Sequence, residues 1–202
     1  MFSNVKYLSI NKKDEDWGLT VTTAGFQSIG PHAAYPPVGH PSRYWFQPAT
    51  GRVLPEYQII YVTAGEGVFQ HRAGKTPLGP GSLLLVFPGV WHSYSPRPDI
   101  GWDTCWIGFY GAFPDHRATK LFFTPGQPVL DIGLSAELVT LFTTAIELAK
   151  QQKTGYQQAL SGMTMHVLGM AYYMMKNALF DDKEITSKIE KACMIMRDHP
   201  DR

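Results

Sequence analysis

The sequence has little of several features that define particular classes of protein. Among its 202 residues are two cysteines, Cys105 and Cys193, which lie far apart, so neither a disulfide framework nor a cysteine-based zinc site is expected. No apolar run approaches the roughly 18 residues of a membrane span, and the N-terminus has no signal-peptide stretch. A formal net charge of +1 shows no basic excess of the kind typical of nucleic-acid-binding domains. A soluble, cytoplasmic protein is expected.

Proline divides the chain into two parts of different composition. All 15 prolines except Pro200 lie at or before Pro128, whereas Leu, Ala, Met, Glu and Lys dominate from Leu134 onward. Turn residues between short β-branched and aromatic runs are typical of β-structure, and apolar residues at helical spacing are typical of α-structure. The first part is therefore predicted to be β and the second α.

Short strands separated by turns are predicted between residues 57 and 111. They cover residues 57–63, 68–72, 82–87, 91–94 and 102–110, with turns at 64–67, 73–75 and 78–81. In the longest strand, alternation places Trp102, Thr104 and Trp106 on one face and Cys105 and Ile107 on the other. Many short strands with regular turns indicate an antiparallel sandwich or barrel.

Two helices are predicted in the second part, from a cap at Ser135 to about Lys150 and from Tyr156 to about Phe180. Apolar residues of the second helix recur at alternating steps of three and four: Leu160, Met163, Val167, Met170 and Met174. That spacing predicts a dimer seam. The alternative is a helix packed on its own barrel.

A further amphipathic segment begins with a capping-box pattern at Ser187 and Glu190 and ends at His199 and Pro200. Its apolar stripe has little sequence left to pack against. A continuation of the chain beyond residue 202 is therefore expected.

Polar and aromatic side chains in the first part suit a pocket for a small polar ligand. The aromatic candidates are Tyr44, Trp45, Trp91, Tyr94, Trp102 and Trp106, and the polar candidates are Arg43, Gln47, Gln58 and Thr104. No metal site is expected, because His92 has no accompanying His-x-His pair or Glu, and zinc or iron needs three or four protein ligands. No catalytic serine or cysteine pattern is present, and no cofactor is predicted.

Three sequence blocks together resemble the effector-binding domain of AraC-type transcription regulators. They are residues 57–67, residues 78–94 with the Pro-Gly-x-x-His-x-Tyr pattern ending at Tyr94, and residues 102–111 with Trp102, Trp106 and Phe109. The resemblance implies a cupin-like antiparallel barrel at 1–130 with an N-terminal arm, linker and dimerisation helices at 131–182, and the start of a DNA-binding domain at 183–202. Helix-turn-helix units would follow outside the chain.

The resemblance also implies ligand contacts. Tyr94 and Trp106 match contacts of the family's sugar-responsive founder, and Thr104 stands where the founder has a histidine, which argues for a different ligand. The founder's arginine contact has three candidates here, Arg43, Gln47 and Arg52. His92 is expected either to satisfy turn backbone or to face the cavity.

The resemblance leads to an expected function. The chain is expected to sense a small polar effector, a sugar or glycan fragment, and to form a homodimer that reaches DNA only through the absent helix-turn-helix units. The alternative is a metal-dependent cupin-type enzyme, such as a sugar isomerase or a dioxygenase.

Overall fold

A computed structural model describes residues 2–37 and 41–178. Nine strands and four helices follow one another along this part of the chain. The strands are β1 (Phe2–Tyr7), β2 (Thr20–Ile29), β3 (Tyr57–Gly65), β4 (Gly67–His71), β5 (Gly74–Leu78), β6 (Ser82–Val86), β7 (His92–Pro96), β8 (Trp102–Tyr110) and β9 (Val129–Asp131). The helices are α1 (Lys12–Glu15), α2 (Ala112–Thr119), α3 (Ala136–Gln151) and α4 (Tyr156–Ala178).

The strands form two antiparallel sheets. One has six strands in the order β1-β2-β8-β3-β6-β9, and the other has three in the order β5-β4-β7. The predicted cupin-like barrel followed by helices, an α+β architecture, is confirmed. The stretch around residues 73–75, predicted only as a turn, contains the start of β5, which pairs with β4.

Both faces of the six-stranded sheet are covered, and alternation along each strand decides which residue faces which side. Ile107 of β8 and Ile59 of β3 belong to a core shared with α3 and α4. Trp102 of β8 and Ile60 of β3 belong to a second cluster, which includes Phe69 of the small sheet. The alternation predicted for β8 is therefore confirmed, and the helices lie on the side opposite the barrel interior.

A register shift in β2 changes the face of its side chains. The pairing of β2 with β8 is irregular between Val21 and Thr23. Val21 packs in the core shared with the helices, whereas Thr23 lines a cavity on the other side. A bulge of this kind inserts one residue and shifts the alternation, which a simple period of two does not anticipate.

The same bulge ties α4 to the sheet. The side chain of Gln157 accepts a hydrogen bond from the backbone N–H of Val21 at 3.1 Å and donates one to its carbonyl at 2.9 Å. Gln157 is buried. Its amide therefore replaces the backbone partner that a neighbouring strand would supply, and it fixes the first turn of α4 against β2.

Helix α3 begins as predicted, with the Ser135 side chain accepting from the backbone N–H of Leu138. In α4, Leu160 and Val167 have no exposed surface and pack in the chain's own core, which is the arrangement of the alternative interpretation. Met163, Met170 and Met174 are only partly buried against that core. A dimer seam on α4 would thus have the methionines at its surface, and the dimer stays a prediction.

The amphipathic segment at 187–196, and with it the predicted start of a DNA-binding domain at 183–202, lies outside the described residues. Among the helices that are described, none is both long and apolar enough to cross a membrane.

The contacts of Gln157 predict a large effect of its replacement. Gln157→Leu should lower the free energy of unfolding by about 2–4 kcal/mol, because it leaves two buried backbone groups of Val21 without partners. Urea denaturation measures this change. Gln151→Leu, at the exposed end of α3, is the matched control and should change stability little. Equal stability of the two variants would contradict the role assigned to Gln157.

Candidate functional site

A cavity opens between the two sheets of the barrel. Its empty volume is about 590 Å³, the solvent at its mouth included. Five strands contribute to its lining, as does the loop between β2 and β3. The lining residues are Tyr7, Thr23, Gln27, Tyr35, Pro36, Pro37, Tyr44, Phe46, Arg52, Gln58, Ile60, Tyr94, Trp102, Thr104 and Trp106. Aromatic walls with a few polar groups are typical of small-molecule sites.

Arg52 is the centre of the polar contacts in this lining. Its Nη2 donates to Gln58 Oε1 at 3.0 Å and to the Tyr94 hydroxyl at 2.6 Å. Its Nη1 donates to the carbonyl of Tyr44. The guanidinium also lies over the ring of Phe46, 4.5 Å from its centroid. One side chain thus connects the β2–β3 loop to β3 and β7.

The backbone of Arg52 also forms hydrogen bonds. Its N–H and carbonyl pair with those of His92 at 2.9 and 3.0 Å, in an isolated antiparallel bridge. Arg52 Nε also donates to His92 Nε2 at 3.3 Å. Because an arginine can only donate, Nε2 must accept, and the ring proton resides on Nδ1, which lies 3.0 Å from the carbonyl of Val90.

Burial, together with the nearby Arg52 charge, lowers the pKa of His92 from 6.5 to about 4. His92 is therefore neutral at physiological pH. The ring is buried, and it stacks on Tyr94 with centroids 6.1 Å apart. His92 does not line the cavity itself, but its ring and its backbone form hydrogen bonds with Arg52, which does. Of its two expected roles, the one that satisfies turn backbone matches this position.

Arg43 lies outside the cavity lining, contrary to expectation. Its Nη2 donates to Glu56 Oε2 at 3.1 Å, and the Glu56 side chain is only 1% exposed. The other Glu56 oxygen accepts from the Thr22 hydroxyl at 3.0 Å. Burial raises the pKa of Glu56. Arg43 therefore pairs with this buried carboxylate. The Tyr44 hydroxyl is also directed at Glu56 and lies 3.4 Å from its Oε2.

Gln47 is likewise outside the cavity. It is exposed, and its carbonyl accepts from the backbone N–H groups of Thr50 and Gly51 in a turn. Among the aromatic candidates, Trp45 is 47% exposed and Trp91 donates its indole N–H to the carbonyl of Thr50 at 3.0 Å. These residues shape the loop that presents Arg52 rather than the cavity wall. Of the three candidates for the arginine contact, the structure places Arg52 alone in the lining.

Tyr94, Thr104 and Trp106 do line the cavity, where the resemblance placed them. The ring of Trp106 packs against β2 at Gly25, where an added Cβ would lie 2.5 Å from Trp106 Cζ2. Glycine at this position therefore leaves the space that the indole occupies. That these three residues contact a ligand stays a prediction.

Two buried polar atoms in the lining have no hydrogen-bond partner within the described part of the chain. They are the indole Nε1 of Trp102 and the hydroxyl Oγ1 of Thr23. Both side chains are at least 96% buried, at 4% and 1% exposure. A buried donor left unpaired costs about 1–3 kcal/mol. Unpaired polar atoms beside a cavity are groups that a bound molecule can satisfy.

Several lining residues were missed by the sequence analysis. Thr23 and Gln27 lie four positions apart on β2, so polar residues at this spacing in an apolar strand were a usable signal. Tyr7 of β1 reaches the cavity from the N-terminal arm, and it lies 5.0 Å from Tyr44 between ring centroids. Tyr35 and Phe46 lie in the β2–β3 loop, where no periodic pattern marks them.

The described residues contain no group of three or more His, Cys, Asp or Glu side chains that could hold a metal ion. The hydrogen bonds of the His92 ring explain why this residue is not suited to bind a metal ion. Its Nε2 faces a guanidinium, and its Nδ1 proton is directed at a carbonyl. Neither ring nitrogen offers a lone pair to a cation in this arrangement.

The lowered pKa of His92 predicts a pH dependence of stability. Between pH 6.5 and about 4 the unfolded chain binds a proton that the folded chain does not, so folding weakens as the pH falls. The contribution should reach up to about 3 kcal/mol. His92→Gln should remove this part of the slope, and chemical denaturation at several pH values measures it. His166→Gln, at an exposed position on α4, is the control that should retain the wild-type slope.

Comparison with solved structures gives distant likenesses. The YhaK protein of Escherichia coli is 14% identical with a TM-score of 0.38, and the match covers 55% of this chain and 45% of that one. A predicted oxalate decarboxylase of Thermotoga maritima is 17% identical with a TM-score of 0.35, over 52% and 78%. A Cupin 2 conserved barrel domain protein of Salinispora arenicola is 16% identical with a TM-score of 0.33, over 57% and 82%. Likenesses this distant say nothing about what the chain binds.

Comparison with sequences is more specific. No curated protein matches the chain. The family model described as the AraC-like ligand binding domain matches residues 40–167. The matched region includes Arg52, Tyr94 and Trp106 of the cavity, all of α3 and about the first half of α4. Since the match extends over more than half of the sequence, the chain belongs to the family of AraC-like ligand binding domains.

Proposed function

We propose that the chain is the effector-sensing part of an AraC-type transcription regulator and that its effector is a small sugar or glycan fragment. The observation that supports this most is the cavity itself, which is lined by aromatic rings and polar groups in a member of a family of ligand-binding domains. A sugar stacks its apolar face on a ring such as Trp106 and gives its oxygens to polar groups such as Arg52 and Thr104.

Domain organisation follows from the same proposal. Residues 1–130 form the effector-binding barrel with its N-terminal arm, and residues 131–182 form the linker and dimerisation helices. Residues 183–202 would belong to the start of a helix-turn-helix DNA-binding domain. In this proposal the regulator works in the cytoplasm, where its DNA is.

Signalling would proceed by a population shift. A ligand in the cavity stabilises the arrangement of the β2–β3 loop and of β1 that contacts it best. The arm has a second set of contacts with α4, since the Tyr156 hydroxyl donates to the carbonyl of Ser9 at 2.6 Å and Gln158 Nε2 donates to Asp14 at 3.2 Å. Ligand binding at Tyr7 and the position of α4 are therefore connected through a few residues of the chain.

Dimerisation is proposed through the partly exposed methionines of α4. Met163, Met170 and Met174 lie on one side of the helix and keep part of their surface free of the core. Methionine packs adaptably against a partner surface.

Trp106 provides a test of the sugar proposal. Trp106→Ala should weaken sugar binding by about tenfold or more while the fold persists, because a stacking surface is lost from the cavity wall. Isothermal titration with a sugar panel measures the affinity, and thermal melting checks the fold. Trp45→Ala, an aromatic removed from outside the cavity, should bind as the wild type does. Global unfolding of Trp106→Ala would identify the ring as core instead.

Met170 provides a test of the dimer. Met170→Glu should lower the dimer affinity, because it places a charge in an apolar contact. Sedimentation velocity over a range of concentrations measures the change, and circular dichroism confirms that the variant is folded. Thr144→Glu, exposed on α3, is the matched control. An unchanged monomer–dimer equilibrium in Met170→Glu would exclude this seam as the interface.

A further inference from the structure

The charge balance of the cavity restricts the chemistry of its ligand. Arg52 is the one ionised side chain among the described residues that line it, and none of these lining residues is Asp or Glu. The contacts of Arg52 are with neutral groups: the amide of Gln58, the hydroxyl of Tyr94, the ring of His92 and a carbonyl. Its positive charge is therefore not neutralised within hydrogen-bond distance.

Glu56, the acidic residue just before β3, does not fill this role. Glu56 is buried, but one of its oxygens accepts from Arg43 at 3.1 Å and the other from Thr22 at 3.0 Å. Arg43 is thus the cation that pairs with Glu56. Glu56 also interacts electrostatically with Arg52, but no direct ion pair joins the two within the described part of the chain. Arg43 is therefore paired with the carboxylate, whereas Arg52 lines the cavity without a direct ion-pair partner.

The lining offers many hydrogen-bond donors. A guanidinium has five N–H groups, and the contacts of Arg52 use four, so one N–H on Nη1 has no acceptor among the described residues. The Tyr94 hydroxyl accepts from Arg52, and its own proton has no acceptor among the residues that the structure describes. The Trp102 indole N–H has no acceptor within the described part of the protein.

Tyrosines in the lining add no negative charge to it. Burial raises the pKa of Tyr7 to about 12 and that of Tyr44 to about 12, and it raises the pKa of Tyr35 well above its ordinary value. These hydroxyls stay protonated over the whole physiological range. Among the described lining residues there is no Asp or Glu carboxylate to accept hydrogen bonds from the hydroxyls of a neutral sugar.

We propose that the ligand of this cavity carries a carboxylate, which Arg52, Tyr94 and Trp102 bind through their free N–H and O–H groups. The proposal rests on the proposed function, because it concerns the same cavity. Two sources share this chemistry: a sugar acid, such as a uronic acid, and a small organic acid that is not a sugar.

The three side chains are neighbours in the cavity lining. Tyr94 lies between the other two, with its hydroxyl 2.6 Å from Arg52 Nη2 and its ring centroid 6.2 Å from that of Trp102. The Cε3–Cζ3 edge of the Trp102 indole packs at Gly67, so its N–H edge is turned to the other side of the ring. Charge-assisted hydrogen bonds of this kind are roughly twice as strong as neutral ones.

Titration of the purified chain with matched ligands tests the proposal. The panel contains galacturonate and glucuronate, the neutral methyl esters of both, the neutral sugars galactose and glucose, and benzoate as a carboxylate without a sugar. We expect binding of at least one carboxylate and roughly a tenfold to hundredfold weaker binding of its neutral counterpart. Calorimetry measures the affinities, and no variant is needed for this comparison.

A charge placed beside Arg52 gives a second test. Gln58→Glu puts a carboxylate where the Gln58 amide oxygen now lies, 3.0 Å from Arg52 Nη2, and keeps the size of the side chain. The internal pair should reduce carboxylate binding by roughly tenfold to hundredfold. Gln70→Glu, on β4 outside the cavity lining, adds the same charge and should leave the affinity unchanged. Equal loss in both variants would assign the effect to net charge and overturn the proposal.

The outcomes distinguish this proposal from the proposed function. Binding of uronates but not of their esters supports both. Binding of neutral sugars or esters as tightly as of the acids overturns the carboxylate and leaves the sugar-sensing function in place. Binding of benzoate alone supports the carboxylate and overturns the sugar. Binding of no member of the panel counts against both.

Discussion

The arrangement of the cavity depends on the hydrogen bonds that the guanidinium of Arg52 donates. Arg52 joins the β2–β3 loop to β3 and β7 through Gln58, Tyr94 and the carbonyl of Tyr44, and its backbone is paired with that of His92. An arginine can do this because its planar fork offers five donors in fixed directions. Its hydrogen-bond partners among the described residues are all neutral, and the proposed preference of the cavity for an anion depends on this.

The six-stranded sheet connects this site to the helices. One face of the sheet bounds the cavity, and the other face packs on α3 and α4, so a displacement of a strand is felt on both sides. The bulge at Val21 connects the cavity to α4 most directly, since Thr23 lines the cavity and Gln157 of α4 forms hydrogen bonds with Val21. A tightly packed sheet with both faces covered transmits strain because its interior has few voids. Such coupling is what an effector-sensing domain requires.

Much of the fold was predictable from local patterns. Alternation in residues 102–110 placed Trp102, Thr104 and Trp106 on one face, and they share one wall of the cavity. The Ser135 cap and the helical spacing of apolar residues predicted α3 and α4 closely. The site was only partly predictable. Arg43 and Arg52 look alike in sequence, and the buried carboxylate of Glu56, which pairs with Arg43, separates them only once the loop is folded.

The sequence by itself determined the β-then-α architecture, the strand faces and the family, because each depends on short-range periodicity or on residues at fixed spacing. The tertiary structure alone decided which residues meet in the cavity. Tyr7, Tyr35 and Phe46 come from an arm and a loop without periodicity, and the bulge in β2 changes the face that Thr23 occupies. The orientation of α4 was decided there too, since Leu160 and Val167 are buried by the chain's own sheet and helices. An apolar stripe specifies that a face is covered, but it does not specify whether the cover is the same chain or a second one.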